Sequence, residues 1–166
     1  PQPAQMPARL HATQWVGDRS LEFLRHAAGE HPFFLWASFI HPHPPFSPPT
    51  PWNKLYRAPL MPLPKRPKDS EAFHTYINKV QNRYKYRDAG TDDNLLRAIK
   101  AYYYACISFI DFQIGRMLEA LEEMGQLDNT LILFTSDHGE FLGDYCCFGK
   151  RSMLDAAARI PMVVRY

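Results

Sequence analysis

Two neighbouring residues with metal-binding side chains, Asp137 and His138, follow an apolar stretch at 131–135 after one intervening residue, Ser136. That stretch has the length and composition of a buried strand in a sheet covered on both faces. Ligands bind at the carboxyl ends of strands in open α/β sheets, so an acid and an imidazole there predict half of a metal site. Neighbouring side chains of a regular strand point to opposite faces. We therefore expect the strand to end at Asp137, with Gly139 giving the backbone freedom to turn.

Three further residues lie where a ligand site could form. Lys150 follows Gly149 and could bring a fixed cation to an anionic ligand on the metal. His41 and His43 follow a second apolar stretch at 33–40, where another strand would end. Each residue also has a structural interpretation. An Asp after a strand often caps a helix or forms a turn, and isolated Lys and His residues are mostly exposed to solvent.

The predicted elements alternate between helix and strand. We predict helices at 13–28 and 70–87, a longer one from 91 or 92 to Gly125, and strands at 33–40, 131–135 and 160–166. Ten of the 15 prolines fall between 42 and 67, which predicts a stiff irregular loop. This order indicates an α/β fold with a doubly wound, mostly parallel sheet flanked by helices.

Composition narrows the possible functions. The chain has 166 residues, 46% of them hydrophobic, which suits one domain or part of one. A net charge of +2 gives no reason to expect nucleic acid as a partner. No apolar run approaches the roughly 20 residues of a transmembrane helix. The chain starts without Met and stops inside a predicted strand, so we expect an internal segment of a longer catalytic domain.

Three patches, in the expected order, carry a resemblance to a known family. The first is Thr-Ser-Asp-His-Gly-Glu at 135–140, with Leu-Gly-Asp at 142–144 and Phe-Gly-Lys-Arg-Ser-Met at 148–153. The second is the strand and Pro-His loop at 32–49, and the third is the helix at 102–121. Together they resemble the sulfatase branch of the alkaline phosphatase superfamily, from about Trp15 to the end. The resemblance implies a partial sulfatase catalytic domain over 1–166, with the Pro-rich loop at 42–67.

The resemblance also implies roles for individual residues. Asp137 and His138 would complete a divalent metal site, Lys150 would contact the sulfate, and His43 would bind a sulfate oxygen or protonate the leaving group. His41 competes with His43 for that role. The resemblance favours Ca²⁺, whereas a histidine ligand suits Mn²⁺ or Zn²⁺ better. Sulfatases make their formylglycine nucleophile from the Cys or Ser of a Cys/Ser-x-Pro-x-Arg motif. Cys147 has Arg151 at the matching distance, but Gly149 stands where the motif has proline. We therefore expect the nucleophile outside this chain.

The expected activity is hydrolysis of a sulfate ester on a small molecule or glycan, with the 166-residue chain inactive by itself. Many sulfatases have His-Gly where this chain has Tyr145-Cys146, and this difference could alter the wall of the substrate pocket. Asp144 and Arg151 could contact the substrate or form local ion pairs. Two alternatives remain: a phosphonate monoester or phosphodiester hydrolase of the same superfamily, and a non-catalytic domain that binds anionic glycans through the basic residues of 79–87. Family resemblance suggests a periplasmic, secreted or lysosomal protein, with a cytoplasmic one also compatible. The sequence is silent on oligomeric state.

Overall fold

The computed structural model describes residues 1–86 and 91–166, with the side chains of 85 and 86 excepted. Four α-helices and two strands occur there: α1 Ala12–Ala27, α2 Tyr76–Gln81, α3 Asp93–Glu123, α4 Asp155–Ala158, β1 Ile132–Thr135 and β2 Met162–Arg165. Short 3-10 turns join them, and a π-helical turn, Asn82–Tyr86, follows α2. None of the described helices combines the length and apolar character that crossing a bilayer requires.

The described residues divide into two compact units. The first unit comprises 1–57, 101–131 and 166, and the second comprises 58–100 and 132–165. The first unit therefore contains α1 and most of α3, while the second contains α2, α4 and both strands.

The predicted helix ends of α1 and α3 are confirmed. The imidazole of His11 accepts a hydrogen bond from the Thr13 N–H (3.1 Å) and so caps α1. A carboxylate oxygen of Asp92 accepts from the Leu95 N–H (3.0 Å) at the start of α3. Gly29 and Gly125 follow the two helices with positive φ, a conformation that favours glycine.

The core of the first unit is formed by the apolar faces of α1 and α3. Leu21 and Leu24 of α1 pack with Met117, Ala120 and Leu121 of α3. Met117 and Leu121 belong to an apolar stripe, with Ile110 and Ile114, whose members recur at steps of three and four residues along α3, as the sequence predicts for a packed helix face. Burial of such a stripe stabilises a helix more than its intrinsic propensity does.

The stretch at 33–40 is extended but is not a ladder-forming strand, so that prediction is wrong in part. Its exposure alternates: Phe33, Leu35, Ala37 and Phe39 pack on the α1–α3 core, while the residues between them face outwards. This is the periodicity of a strand. A ladder also requires a neighbouring strand, and none of the described strands pairs with this stretch.

The two strands pair with each other and are antiparallel, with Ile132 opposite Arg165 and Thr135 opposite Met162. These two strands therefore do not form the parallel pairing that we expected of the sheet. The prediction that 131–135 is buried is also wrong for this chain, because β1 is largely exposed. An apolar run predicts burial only when both faces of the sheet are covered.

The predicted helix at 70–87 is broken. Ser70–Phe73 is a 3-10 turn, and the chain is extended at Thr75, where α2 begins. The side chain of Thr75 accepts from the Asn78 N–H (3.2 Å) and that of Asn78 accepts from the Thr75 N–H (3.1 Å), a reciprocal cap that restarts the helix. Residue 87, the predicted end, lies outside the described residues.

Candidate active site

β1 ends at Thr135, two residues before the end that we expected at Asp137, and Ser136 separates the strand from the Asp137–His138 pair. The Thr135 hydroxyl donates to the Pro161 carbonyl (3.0 Å), which ties the end of β1 to the segment before β2. The chain leaves the sheet at Ser136, whose hydroxyl donates to the His138 carbonyl (3.3 Å). The His138 N–H donates to Asp137 Oδ1 (3.0 Å), so the carboxylate is turned towards its neighbour.

The two side chains are close enough to bind one cation. His138 Nε2 lies 3.3 Å from Asp137 Oδ2. His138 Nδ1 lies 2.7 Å from the Gly139 carbonyl, which can only accept, so Nδ1 carries the proton. In the neutral ring the Nε2 lone pair then faces a carboxylate oxygen, and a cation between the two atoms would stabilise them. A backbone carbonyl that fixes the tautomer in this way is typical of metal-binding histidines.

This pair fits a divalent ion but does not complete its coordination. Over residues 1–86 and 91–166, no three His, Cys, Asp or Glu side chains are arranged to hold a metal ion. Asp137 and His138 supply one oxygen and one nitrogen, and a metal needs at least two further ligands.

Gly139 is required for a different reason from the one we expected. It does not have a positive φ. A Cβ added to it would meet the Ala156 carbonyl oxygen at 2.1 Å, and its N–H donates to the Ala157 carbonyl (2.8 Å). Close approach to the residues of α4, rather than freedom to turn, therefore excludes a side chain there.

Glu140 lies between the predicted metal ligands and Lys150, and its place in the sequence did not indicate a role. Its Oε1 accepts from the Gly149 N–H (2.5 Å) and the Leu142 N–H (3.3 Å). Burial raises the pKa of Glu140, and this rise is opposed by those hydrogen bonds and by the charges of Lys150 and His138. The carboxyl group therefore closes the loop that ends at Lys150 and lies within the electrostatic influence of both predicted site residues.

Residues 140–151 form a compact loop, which we call the lysine loop. The Phe141 N–H donates to the Gly149 carbonyl (2.9 Å) and the Gly143 N–H to the Cys147 carbonyl (2.8 Å). Phe141, Cys147 and Ala157 form the buried cluster beneath it. Packing and these internal bonds thus define the backbone that precedes Lys150.

Asp144 and Arg151 take part in local structure. The Asp144 carboxylate accepts from the Lys65 N–H (2.8 Å), and the Thr75 hydroxyl donates to the Arg151 carbonyl (3.0 Å). Lys100 is buried in the same unit, and burial lowers the pKa of its ammonium while the charge of Asp144 opposes that change. These contacts support the structural interpretation of Asp144.

His41 and His43 belong to the first unit and have different surroundings. His41 packs against the His11 ring, with centroids 4.6 Å apart, and its Nδ1 lies 3.3 Å from the Thr13 hydroxyl. Burial, with a smaller contribution from His11, lowers the pKa of His41 to about 4. His43 is exposed, its N–H donates to the Ile40 carbonyl (3.0 Å), and its Nδ1 lies 2.9 Å from the Pro44 carbonyl.

The basic residues at 79–87 are only partly described. Lys79 and Arg83 are exposed, and the Arg83 guanidinium lies over the Tyr84 ring at 5.3 Å from its centroid. Arg87 lies outside the described residues, as does the side chain of Lys85. The predicted glycan-binding face therefore stays a prediction.

Comparison with known proteins identifies the family. The family model described as Sulfatase matches residues 3–166. An arylsulfatase of Clostridium perfringens is 37% identical over 93% of this chain and 32% of its own length. A multifunctional alkaline phosphatase superfamily protein, PehA, of Trinickia caryophylli is 34% identical over 98% of this chain and 34% of its own. The chain belongs to the sulfatase family, and it spans about a third of the length of these relatives.

A solved structure supports the same assignment at the level of the fold. Phosphonate monoester hydrolase SpPMH from Silicibacter pomeroyi superimposes with a TM-score of 0.86 at 32% identity, over 98% of this chain and 34% of that one. The predicted α/β class of the alkaline phosphatase superfamily is therefore confirmed, with this chain contributing helices and a small part of the sheet.

Proposed function

We propose that this chain is part of the catalytic domain of a metal-dependent sulfuric ester hydrolase. The observation that carries the proposal is the 3.3 Å approach of His138 Nε2 to Asp137 Oδ2 at the end of β1, with the imidazole tautomer fixed by the Gly139 carbonyl. Membership of the sulfatase family supports it. The substrate is a sulfate ester on a small molecule or glycan, and the formylglycine nucleophile lies outside these 166 residues.

Asp137 and His138 would hold the metal. A divalent ion bound there would polarise the ester and its attacking nucleophile. Calcium takes oxygen ligands, whereas a carboxylate paired with an imidazole suits manganese or zinc as well. Calcium is the ion that the resemblance favours, and the nitrogen ligand makes a softer ion the direct competitor.

Lys150 would stabilise negative charge on the ester. A lysine ammonium is a compact cation with three donors, so it can follow charge as it develops on the departing oxygen. The loop bonded to Glu140 limits where the Lys150 backbone can lie, which supports a positioned rather than a mobile cation.

For the group that binds a sulfate oxygen or protonates the leaving group, we propose His43 rather than His41. His43 is exposed, so its ring is accessible to a bound ester. His41 is partly buried against His11, and its pKa of about 4 keeps it neutral at physiological pH. A neutral, packed ring is a poorer partner for a sulfate oxygen than an exposed one.

A phosphonate monoester or phosphodiester hydrolase is the second candidate. The similarity to SpPMH supports it, as does a histidine among the predicted metal ligands. The binding-module alternative depends on the incompletely described basic face and has less support.

One pair of assays separates the two enzymatic candidates. The full-length enzyme containing this chain would be given an aryl sulfate and an aryl phosphonate monoester with the same phenol as leaving group. We expect a higher kcat/KM for the sulfate. A preference for the phosphonate would assign the second function, and hydrolysis of neither would favour the binding module.

A further inference from the structure

The lysine loop is held by side chains from a distant part of the sequence. The His74 Nε2 lies 2.6 Å from the Tyr145 carbonyl, and the Asn82 Nδ2 donates to the Cys146 carbonyl (2.6 Å). His74 follows the 3-10 turn Ser70–Phe73, and Asn82 opens the π-helical turn after α2. Both residues belong to the same unit as the loop.

The two carbonyls belong to residues in an uncommon conformation. Tyr145 and Cys146 have φ values of 54° and 55°, the left-handed region that non-glycine residues rarely adopt. Such conformations persist where the surrounding structure determines them, and they concentrate at functional sites. Hydrogen bonds to both carbonyls are suited to hold this turn.

Further contacts extend the same support in both directions along the loop. The Tyr145 N–H donates to the Lys65 carbonyl (2.7 Å), and the Thr75 hydroxyl donates to the Arg151 carbonyl (3.0 Å). Asn82 Nδ2 also approaches Cys147 Sγ at 3.7 Å. Residues 65–82 thus contact the loop both before Lys150, at Tyr145 and Cys146, and directly after it, at Arg151.

We propose that His74 and Asn82 are positioning residues that hold the lysine loop and thereby set the place of the Lys150 ammonium. This rests on the proposed function, in which Lys150 contacts the ester. Each side chain donates an N–H to a backbone carbonyl of the loop. A substitution can therefore remove the donor while keeping the size of the side chain. Asn82→Asp replaces the amide by a carboxylate of the same shape, and His74→Phe keeps a ring without a donor.

Hydrogen exchange tests the structural half of the proposal without any assay of activity. In the full-length enzyme, N82D and H74F should speed exchange of the amides at 141–153 by at least about tenfold, because loss of the bonds opens the loop locally. His74→Gln keeps an N–H donor near the Nε2 position and should restore slow exchange. Lys68→Ala, at an exposed position of the same unit outside α2, provides the control and should leave exchange in the loop unchanged.

Kinetics test whether the held loop acts through Lys150. N82D and H74F should lower kcat/KM by about 10- to 100-fold, the effect expected when the support of a site residue is removed. The same changes should cost almost nothing more in a Lys150→Met background, because the group that they position is then absent. H74Q should retain most of the activity.

Each outcome decides the proposal. Unchanged exchange in both N82D and H74F overturns it, as does a loss of kcat/KM that is fully additive with Lys150→Met. If the enzyme prefers a phosphonate ester, the proposed function fails. The single variants and their combinations with Lys150→Met are then compared with that phosphonate as substrate. If it hydrolyses neither ester, the proposed function fails and the exchange data alone decide whether His74 and Asn82 hold the loop. If N82D does not fold, the H74F and H74Q pair makes the same test.

Discussion

Single residues of the candidate site are held by backbone groups more than by one another. The His138 tautomer depends on the Gly139 carbonyl, and Glu140 is bonded to the N–H groups of Gly149 and Leu142. Backbone partners do not change with the side-chain sequence around them. The loop can therefore keep its shape while its outward side chains vary.

The metal pair gives the first prediction. In the full-length enzyme, Asp137→Ala and His138→Ala should each lower both the bound metal and kcat/KM by at least about 100-fold, because a ligand contributes more than the outer partners whose loss costs 10- to 100-fold. Metal content measured by elemental analysis provides a readout that does not depend on turnover. His31→Ala, at an exposed histidine of the first unit, should change neither quantity. Full metal content in both site variants would contradict the assignment.

Lys150 gives a prediction about leaving groups. If its ammonium offsets charge on the departing oxygen, Lys150→Met should lower kcat by about 100-fold or more for aryl sulfates with poor leaving groups, and by less for good ones. Rates measured across a series of substituted phenyl sulfates would show a steeper dependence on the pKa of the phenol. Lys54→Met, at an exposed lysine, should leave the slope unaltered. Equal losses across the series would place Lys150 on a non-departing oxygen.

His41 gives a prediction about pH. Its pKa is lowered from 6.5 in the unfolded chain to about 4 in the fold, so below pH 6.5 the unfolded state binds the proton more strongly. The stability contributed by neutral His41 is complete above pH 6.5 and is lost as the pH falls towards 4. After allowance for partial exposure, the loss between pH 7.5 and 5 should be about 1 kcal/mol.

Calorimetry of the full-length enzyme and of its His41→Phe variant at these two pH values would check this. The fall in Tm on acidification should be smaller in the variant, because its ring cannot take up a proton. His26, an exposed histidine on α1, serves for comparison, since His26→Phe should leave the fall unchanged. An equal fall in all three proteins would show that another group controls the pH dependence.

At the scale of elements, α1 and α3 are joined by a buried polar network as well as by their apolar stripes. Gln113 is fully buried, and its side-chain amide donates to Gln14 Oε1 (3.0 Å). Arg116 donates to Asp18 Oδ1 (2.8 Å) and to the side-chain oxygen Oε1 of Gln113 (2.6 Å). Buried amides need such partners, because an unsatisfied group costs about 1–3 kcal/mol. The network therefore fixes how the two helices align.

Two glycines offer a matched test of this contact. A Cβ at Gly17 of α1 would lie 2.3 Å from Gln113 Oε1 and 3.1 Å from Gln113 Cβ, whereas a Cβ at Gly115 of α3 would meet nothing within 4 Å. Gly17→Ala should destabilise the protein by about 1–3 kcal/mol, since the bonded amide cannot move aside freely. Gly115→Ala should stabilise it by up to about 1 kcal/mol through helix propensity. Denaturant unfolding of the two variants measures both, and equal effects would contradict the close approach.

The elements that could be predicted are those whose pattern is local. The apolar stripe of α3, its start at Asp92 and its end at Gly125 depend on residues within a few positions, so these features followed from the sequence, whereas the cap of α1 at His11 was not predicted. The stretch at 33–40 has the alternation of a strand but pairs with none of the described strands. Pairing depends on residues far away in the chain, which no local pattern reports.

The candidate site divides in the same way. Asp137 and His138 are sequence neighbours at a predicted strand end, and the structure places them side by side. His74 and Asn82 contact the lysine loop across 71 and 64 residues, and their sequence context offers no signal of it. Left-handed conformations at Tyr145 and Cys146 were equally unforeseeable, because neither residue is of a type that favours them.

At the scale of the whole molecule, the chain exposes apolar side chains that an α/β domain would normally cover. Phe34, Trp36 and Ile40 are between 77% and 82% exposed, all on the outward face of the stretch at 33–40. Contiguous exposed apolar surface marks an interaction site or a liability to association. Relatives about three times as long have further chain with which to cover such a face.

This leads to a prediction in which one substitution has different effects on stability in two contexts. In the full-length enzyme, Trp36→Ser should destabilise the fold by about 3 kcal/mol or more, the cost of truncating a large buried side chain. In the isolated 166-residue chain the same change should leave stability almost unaltered and reduce self-association, because the side chain is already exposed to water. Thermal unfolding of both proteins and size-exclusion chromatography of the isolated chain at several concentrations make the comparison. Equal effects on stability in the two contexts would mean that Trp36 faces water in the complete enzyme as well.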